Sequence, residues 1–532
     1  MSGKVLPAIY KPIEKYGVTN CLALALFCLW FVFFAVLWST VVGLDTTGIT
    51  TTSSNIWADW VVHLTFTNTF QDWSLREVLD NNPLFATGNF RYPPAPNVFS
   101  ALLSPLGFSS IGAMQMSSFV MSIATLAALF VFFRQYVKNA MWAWMGASMF
   151  LLNGGLGFYF YWFEKAKTAT HLPEHGIVIQ NFLVSEFIPQ RAILFAAPFF
   201  ILNLVLLKRF LNSPKNSNIS LIAGISACSG MVLLSSIHTF LSYLLVCFFA
   251  ACMTPKLWKR WCALAAVAGV FNAIIYFAYY GVNETSGFVS FAPGAMITYS
   301  KLRFLQHFAL NYGFVLPVAA YAIFRYRLWK NPLYFAGVGI AVVAYLFKFQ
   351  PWIWDNTKII TWAYLILLLP VLYIFQQWWQ QHTGKRALVV VLFLATVTSG
   401  AIDAWSVIKP GAEQYQMFTP EDIALANSFA ALSNTDDIVL THVGHNNWVH
   451  ALAARRVFKG YSGWLWSYGL DVAELEAEAA KMLNGDWPAL REHGIDYIVV
   501  DVNHEKDTVN RRFIDSLPTV IQSNRYKVVK IQ

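Results

Sequence analysis

The chain is short of charge. Asp, Glu, Lys and Arg together supply 12% of its 532 residues, against 57% hydrophobic and 17% aromatic. That apolar share lies far above the usual composition of a soluble domain, so the sequence predicts a polytopic membrane protein. Cysteine is scarce as well: Cys21, Cys28, Cys228, Cys247, Cys252 and Cys262 all fall in or beside apolar runs, without metal-ligand spacing. Neither a disulfide nor a zinc site is expected from them. There is no internal repeat, no low-complexity segment, no dinucleotide fingerprint and no Walker sequence, so a nucleotide cofactor has little support.

What the chain has instead is a series of long apolar runs. The first, Cys21 to Leu44, is too long for a cleaved signal peptide and lacks a small-residue cleavage site. Further runs at about 112–133, 140–162, 192–207, 219–236, 239–254, 262–281, 305–323, 333–347, 359–379 and 387–404 give about 11 predicted spans. Alternate connections carry the basic residues: Lys4, Lys11 and Lys15, then Arg134 and Lys138, Lys208 to Lys215, Lys256 to Arg260, Arg325 to Lys330, and Lys385 with Arg386. The positive-inside rule makes that side cytoplasmic, with the N-terminus in and the C-terminus out. The formal charge of +9 is then a consequence of topology, and nucleic-acid binding is not expected.

The polar clusters gather on the opposite side, in connections at 45–94, 163–191, 282–304 and 348–358. In the first of these, Asp59 and His63 lie four residues apart, which places both on one face if the segment is helical. Arg91-Tyr92-Pro93-Pro94 then stiffens the chain before it re-enters the apolar region. The runs at 219–236 and 239–254 have basic clusters at both outer ends, so they must turn back near His238. An ionisable group at such depth predicts a cavity wall. Asn283-Glu284-Thr285 forms an outward sequon, and Asn218-Ile219-Ser220 an inward one that should stay unmodified.

After about residue 404 the composition becomes more charged. The division predicted is a membrane module at 1–404 and an extracytoplasmic α/β domain at 405–532. Asp437 to His442, Tyr497 to Val502 and Tyr526 to Ile531 read as strands, Asp471 to Leu483 as an amphipathic helix, and Trp448 to Arg456 as a helix after a strand and loop. The glycine- and aromatic-rich stretch Gly460 to Gly469 suits either a sugar-stacking surface or packing onto the membrane, with packing preferred.

These features together resemble the GT-C superfamily of integral membrane glycosyltransferases, which use polyprenyl-phosphate sugars. The resemblance rests on the N-in arrangement of about 11 spans, the large first outer loop with an early acidic residue, the Arg91-Tyr92-Pro93-Pro94 turn and the outer α/β domain. Phe187-Ile188-Pro189-Gln190-Arg191, Trp354-Asp355-Asn356-Thr357-Lys358, Ala454 to Tyr461 and Trp464 to Gly469 resemble segments of bacterial members. The implied setting is a bacterial inner membrane with the site on the extracytoplasmic face. The implied partners are a lipid-linked sugar donor, an acceptor glycan, lipid or protein, and membrane lipids. The first loop departs from the common pattern, having neither tandem Asp-Asp nor Asp-x-Asp or Glu-x-Asp, so metal use and the choice of base stay open.

Inverting transfer needs a base for the acceptor hydroxyl and positive charge for the departing phosphate. By its position Asp59 matches the acidic residue of the family and is the expected base. His63 would orient it or touch the acceptor, and Glu186 is the alternative base. Arg91, Arg191 and Lys358 are the candidate phosphate contacts, with Asp355 paired to Lys358 and His238 in the cavity wall. Tyr92 and Trp354 are candidate sugar-stacking rings. His171, Glu174 and His175 superficially resemble a metal cluster, but Pro173 interrupts their spacing. Two other function classes fit the composition: a lipid or solute transporter, against which stand the missing repeat and the one-sided polar groups, and a non-catalytic assembly partner.

Overall fold

The computed structural model describes residues 16–531 apart from 87, 89–90, 138, 213–218, 282–288, 442–443 and 504–508. Lys4, Lys11, Lys15, Lys138, Lys215, Asn218, His442 and the sequon at Asn283 to Thr285 lie outside the described residues.

The chain is mostly helical. Among the described residues six helices are long and apolar enough to cross a membrane: Cys21–Thr40, Ser110–Arg134, Arg191–Asn212, Pro255–Tyr280, Ile353–Trp379 and Thr383–Ile408. A seventh candidate is the pair Phe304–Tyr312 and Val315–Arg325, bent by 98°. Four shorter apolar helices, Ala140–Leu151, Ile219–Ser235, Ile237–Met253 and Pro332–Leu346, complete the set. Every apolar run of the sequence therefore carries helix, but six or seven meet the length criterion where about 11 spans were expected. In the most apolar stretch of Ile353–Trp379 89% of the residues are buried, which puts it in the middle of the bundle, whereas in that of Pro255–Tyr280 the share is 22%, as at an edge.

Two of the shortfalls share one physical cause. The run expected at 140–162 stops at Leu151 and resumes only as a short Phe158–Phe163 helix. The run expected at 305–323 breaks at Gly313, whose φ of 55° and ψ of −130° lie outside the reach of L side chains. The two breaks meet: the Leu156 amide donates to the Leu310 carbonyl at 2.8 Å. A side chain at Gly155 would place its Cβ 2.0 Å from that same carbonyl oxygen. The glycines thus exchange helix for close backbone contact inside the bundle.

Strands occur in two main groups. Val42–Asp45 and Gly48–Thr51 form a hairpin, and Gly48–Thr51 also pairs with Tyr415–Phe418, joining the chain after the first long helix to the segment after the last. The second group is a five-stranded sheet in the order Arg456–Val457, Ile438–Thr441, Ile495–Asp501, Tyr526–Lys530, Thr519–Gln522. The first two pairings are parallel and the last two antiparallel. The expected strands near 437–442, 497–502 and 526–531 and the helix at Val472–Leu483 are all present. The helix expected at Trp448 to Arg456 ends at Ala451, because Ala454 takes a positive φ of 51° and the chain turns into the edge strand.

This sheet sits against the 45–94 connection. Gly460 donates to the Leu84 carbonyl and Val457 to that of Pro83, extending the sheet edge along the first connection. Trp73 Nε1 donates to the Ala454 carbonyl at 2.8 Å, Asn68 Nδ2 to that of Ala451 at 2.7 Å, and Thr65 hydroxyl and His450 Nδ1 meet at 2.8 Å. The helix carrying Asp59 is therefore held between the bundle and the C-terminal sheet.

Candidate active site

The Ser54–Asp72 helix begins at Ser53, whose hydroxyl caps the Ile56 amide. Along it Asn55, Ala58, Asp59, Val62 and His63 line a cavity of about 630 Å³. Their spacing of three and four residues is that of one helical stripe, so the expected pairing of Asp59 with His63 on one face is found.

A second wall comes from the start of the Thr357–Trp379 helix. A 3-10 turn at Ile353–Asn356 precedes it, anchored by Asn356 Nδ2 donating to the Ala344 and Phe347 carbonyls at 2.8 and 2.7 Å. That turn presents Trp354, Asp355 and Lys358 to the cavity. Lys358 Nζ lies 2.8 Å from Asp355 Oδ1 and 5.9 Å from the centroid of the Trp354 ring. The third wall is the interruption at Ser236 between the Ile219–Ser235 and Ile237–Met253 helices, where Ser236 Oγ caps the Thr239 amide. Ser236, Ile237 and His238 line the cavity, as the sequence led us to expect for His238.

The roof belongs to the C-terminal region. Tyr461, Gly463, Trp464, Ser467 and Tyr468, with His445, close over the cavity. The short Ser462–Ser467 helix is fastened by the buried Lys459, whose Nζ donates to Ser462 Oγ at 2.7 Å and to Glu476 Oε1 at 3.2 Å. The Gly460 to Gly469 stretch, for which membrane packing was preferred, thus contributes to a cavity wall.

Tyr92 also lines the cavity, its ring stacked on Phe66 at 5.0 Å. Its hydroxyl meets His63 Nε2 at 3.4 Å, while His63 Nδ1 meets Asn97 Oδ1 at 3.0 Å. The imidazole is thus held by Tyr92 and Asn97.

Three expected site residues lie elsewhere. Arg91 borders a separate small recess and donates from Nη1 to the Val78 and Asn81 carbonyls at 2.8 and 3.3 Å. Arg191 is fully buried although its neighbours Gln190 and Ala192 line the cavity. Its Nη2 donates to the Ser100 and Ser117 hydroxyls at 2.6 and 2.7 Å, and its guanidinium sits 5.7 Å from the Trp60 ring and 5.4 Å from that of Phe195. Glu186, on a π-helical turn at Phe182–Phe187, is fully buried and not among the lining residues. Arg191 and Glu186 are enclosed by neighbours that leave them no face on the cavity, whereas Arg91 is half-buried and turned to the other recess.

Burial pushes the Asp59 carboxyl up to about 6, opposed by the nearby Lys358 and reinforced by Asp355. Burial drives His63 down to about 3, with the Arg191 charge acting the same way, so the ring is neutral at pH 7. Burial likewise raises Glu186 to about 8, with Thr357 and Lys358 beside it pulling the other way. A carboxylate poised near 6 beside an ammonium can accept a proton and face an anion at neutral pH.

Among the described residues no group of three or more His, Cys, Asp or Glu is placed to hold a metal ion. His175 instead stacks on Phe160 at 4.2 Å, with its Nε2 3.6 Å from Glu164. Sequence reasoning passed over His445, Gln350 and Trp352 in the cavity wall. The only signal for the last two was an aromatic- and proline-containing connection, Phe349-Gln350-Pro351-Trp352, between two apolar runs.

No protein-family model matches the chain, and no curated protein matches it by sequence. Solved structures do. The archaeal oligosaccharyltransferase AglB from Archaeoglobus fulgidus, in complex with an inhibitory peptide and a dolichol-phosphate, aligns over 92% of this chain and 70% of its own at 10% identity, with a TM-score of 0.53. The Archaeoglobus fulgidus oligosaccharyltransferase tethered to an acceptor peptide aligns over 91% and 69% at 11% identity, with a TM-score of 0.51. At this identity the likeness is one of fold, and it spans nearly the whole chain.

Proposed function

We propose that the protein transfers a sugar from a polyprenyl-phosphate carrier to an acceptor, on the extracytoplasmic face of a membrane. The observation that carries this reading is the convergence of Asp59, His63, Tyr92, His238, Trp354, Asp355 and Lys358, from distant parts of the chain, on one cavity of about 630 Å³. The likeness in fold to oligosaccharyltransferases supports the class, and a lipid-linked donor matches the dolichol-phosphate held by one of them.

In the proposed reaction the acceptor oxygen attacks the anomeric carbon as Asp59 takes its proton. The bond between that carbon and the phosphate oxygen breaks, and its electron pair leaves with the carrier phosphate. Attack opposite the leaving group inverts the anomeric centre. Lys358, held in place by Asp355, faces the negative charge that grows on the phosphate. His238 supplies a further polar contact to the donor, while His63, held by Asn97 and Tyr92, shapes the wall beside Asp59. Tyr92 and Trp354 offer rings to the transferred sugar. Glu186, largely protonated at pH 7, lies beside Thr357 and Lys358 and supports the start of that helix. Arg91 and Arg191 act on the scaffold, each through the bonds described above.

The reading is tested by incubating purified protein in lipid with labelled polyprenyl-phosphate and polyprenyl-diphosphate sugars, with and without acceptor glycans, lipids and peptides. Transfer or carrier-dependent hydrolysis by the wild type, lost in Asp59→Asn with the fold retained, is the expected result. Movement of label across the bilayer without consumption of any donor would establish transport instead.

A further inference from the structure

The mouth of the cavity holds aromatic and polar surface that the proposed reaction does not use. Trp352 lines the cavity and is 46% exposed, while Trp466, on the roof helix Ser462–Ser467, is 37% exposed. Their rings meet edge to face, centroids 5.1 Å apart and planes at 88°. One indole comes from a connection of the helical bundle and the other from the C-terminal region, so the corner exists only because the two pack together. Two residues before Trp352, Gln350 lines the same cavity, and its Oε1 is buried without a hydrogen-bond partner among the described residues. A buried amide oxygen left unpaired costs free energy comparable to a lost hydrogen bond, so it calls for a partner.

These features match the chemistry of a pyranose. One face of such a ring carries mostly C–H groups and stacks on an indole, burying apolar area, while its rim of hydroxyls needs acceptors and donors close by. Trp352 offers the flat surface, Trp466 closes one side at a right angle, and Gln350, on the same wall, carries the amide donor and acceptor that sugar hydroxyls need. A tryptophan serving only the membrane belt would present its face to lipid. Trp352 instead contributes to a cavity wall and is crossed by a ring of the C-terminal region.

We infer that Trp352, Trp466 and Gln350 form a saccharide subsite at the mouth of the cavity, beyond the sugar that is transferred. This rests on the proposed transferase reading for its role but not for its existence. The saccharide is either part of the acceptor or a further residue of the lipid-linked glycan, and both present the same ring to the same indole.

The test is tryptophan fluorescence of the full chain in nanodiscs of one fixed lipid composition. It is titrated with chitotetraose, mannotetraose and maltotetraose, with polyprenyl-phosphate-linked glycans, and with bare polyprenyl phosphate. Saturable quenching by at least one saccharide is expected, weakened at least tenfold in Trp352→Ala and in Gln350→Ala and largely restored in Trp352→Phe. Weakening for the free tetrasaccharides assigns the subsite to an acceptor glycan; weakening only for the lipid-linked glycans, with bare carrier unaffected, assigns it to the donor. A wild type that binds saccharide with this dependence on Trp352 and Gln350 but transfers sugar from no donor would keep the subsite while removing the transferase reading. A wild type that responds to no saccharide, or a Trp352→Ala protein that binds every saccharide as tightly as the wild type, overturns the inference. Loss of quenching in both Trp352→Ala and Trp352→Phe together with a lowered thermal midpoint also overturns it, in favour of a purely structural corner.

Discussion

Arg191 and Lys358 stand at equivalent places in the sequence, each a cation opening a long apolar helix after a turn of irregular backbone. Their surroundings are opposite. Lys358 lines the cavity with Asp355 at 2.8 Å and Trp354 beside it. Arg191 is sealed among Ser100, Ser117, Trp60 and Phe195. The start of a helix fixes the depth of a charge; the rotation of the helix about its own axis decides what that charge faces. One helix presents a cation to a cavity that can take an anion, and the other uses a cation to join three helices of the scaffold.

Substitutions should separate the two. Lys358→Ala should lower transfer by about 100-fold or more, the usual scale for removing a charged group that meets developing negative charge, while the thermal midpoint in detergent stays near that of the wild type. Arg191→Ala should do the reverse. It leaves a void between Trp60 and Phe195, and emptying such a site costs about 2–5 kcal/mol, which would appear as a clearly lower midpoint. The surviving folded protein should keep turnover within about threefold, a difference of less than 1 kcal/mol in barrier.

The pH dependence sharpens the same contrast between cavity and scaffold. With Asp59 at about 6 in the folded protein, kcat/KM of the wild type should rise as pH increases through 6 and level off above it, and any residual turnover of Asp59→Asn should lack that rise. Glu186 bears on stability. Its folded value of about 8 lies above the 4.5 of an ordinary glutamate, so the folded state binds more protons between those values. Stability from this group is therefore greatest below pH 4.5 and declines as pH rises to 8. The midpoint of the wild type should fall more steeply over that interval than that of Glu186→Gln, measured by thermal unfolding at fixed ionic strength. Arg91→Lys should have the smallest effect, since an ammonium can still reach one of the two carbonyls, Val78 or Asn81; a change in transfer beyond about threefold would return Arg91 to the donor site.

Much of this arrangement was legible in the sequence, for reasons that differ from residue to residue. Asp59 and His63 follow from helical spacing alone, and His238 follows from basic clusters at both ends of one apolar stretch. The GT-C resemblance followed from the order of loops and spans, and the fold is similar to that of solved archaeal oligosaccharyltransferases. The breaks at Gly155 and Gly313 were hidden, since each lies in an apolar run and its cause is the other segment, about 150 residues away. Arg191 and Glu186 were placed at the right level of the bundle, but their faces depend on neighbours that hydropathy does not reveal. The roof at Tyr461 to Tyr468 was ambiguous because aromatic residues serve a cavity and a membrane surface equally well, and the pairing of the C-terminal sheet edge with Pro83 and Leu84 brings it to the cavity that Asp59 lines.

The most direct measurement is release of polyprenyl phosphate from a labelled polyprenyl-phosphate sugar in the presence of acceptor, for wild type, Lys358→Ala and Arg191→Lys prepared side by side in the same lipid. Release is expected from the wild type and from Arg191→Lys, and almost none from a folded Lys358→Ala. Release that survives the loss of Lys358 but disappears in a folded Arg191→Lys protein would contradict it, and would move the phosphate site from the cavity to the buried guanidinium.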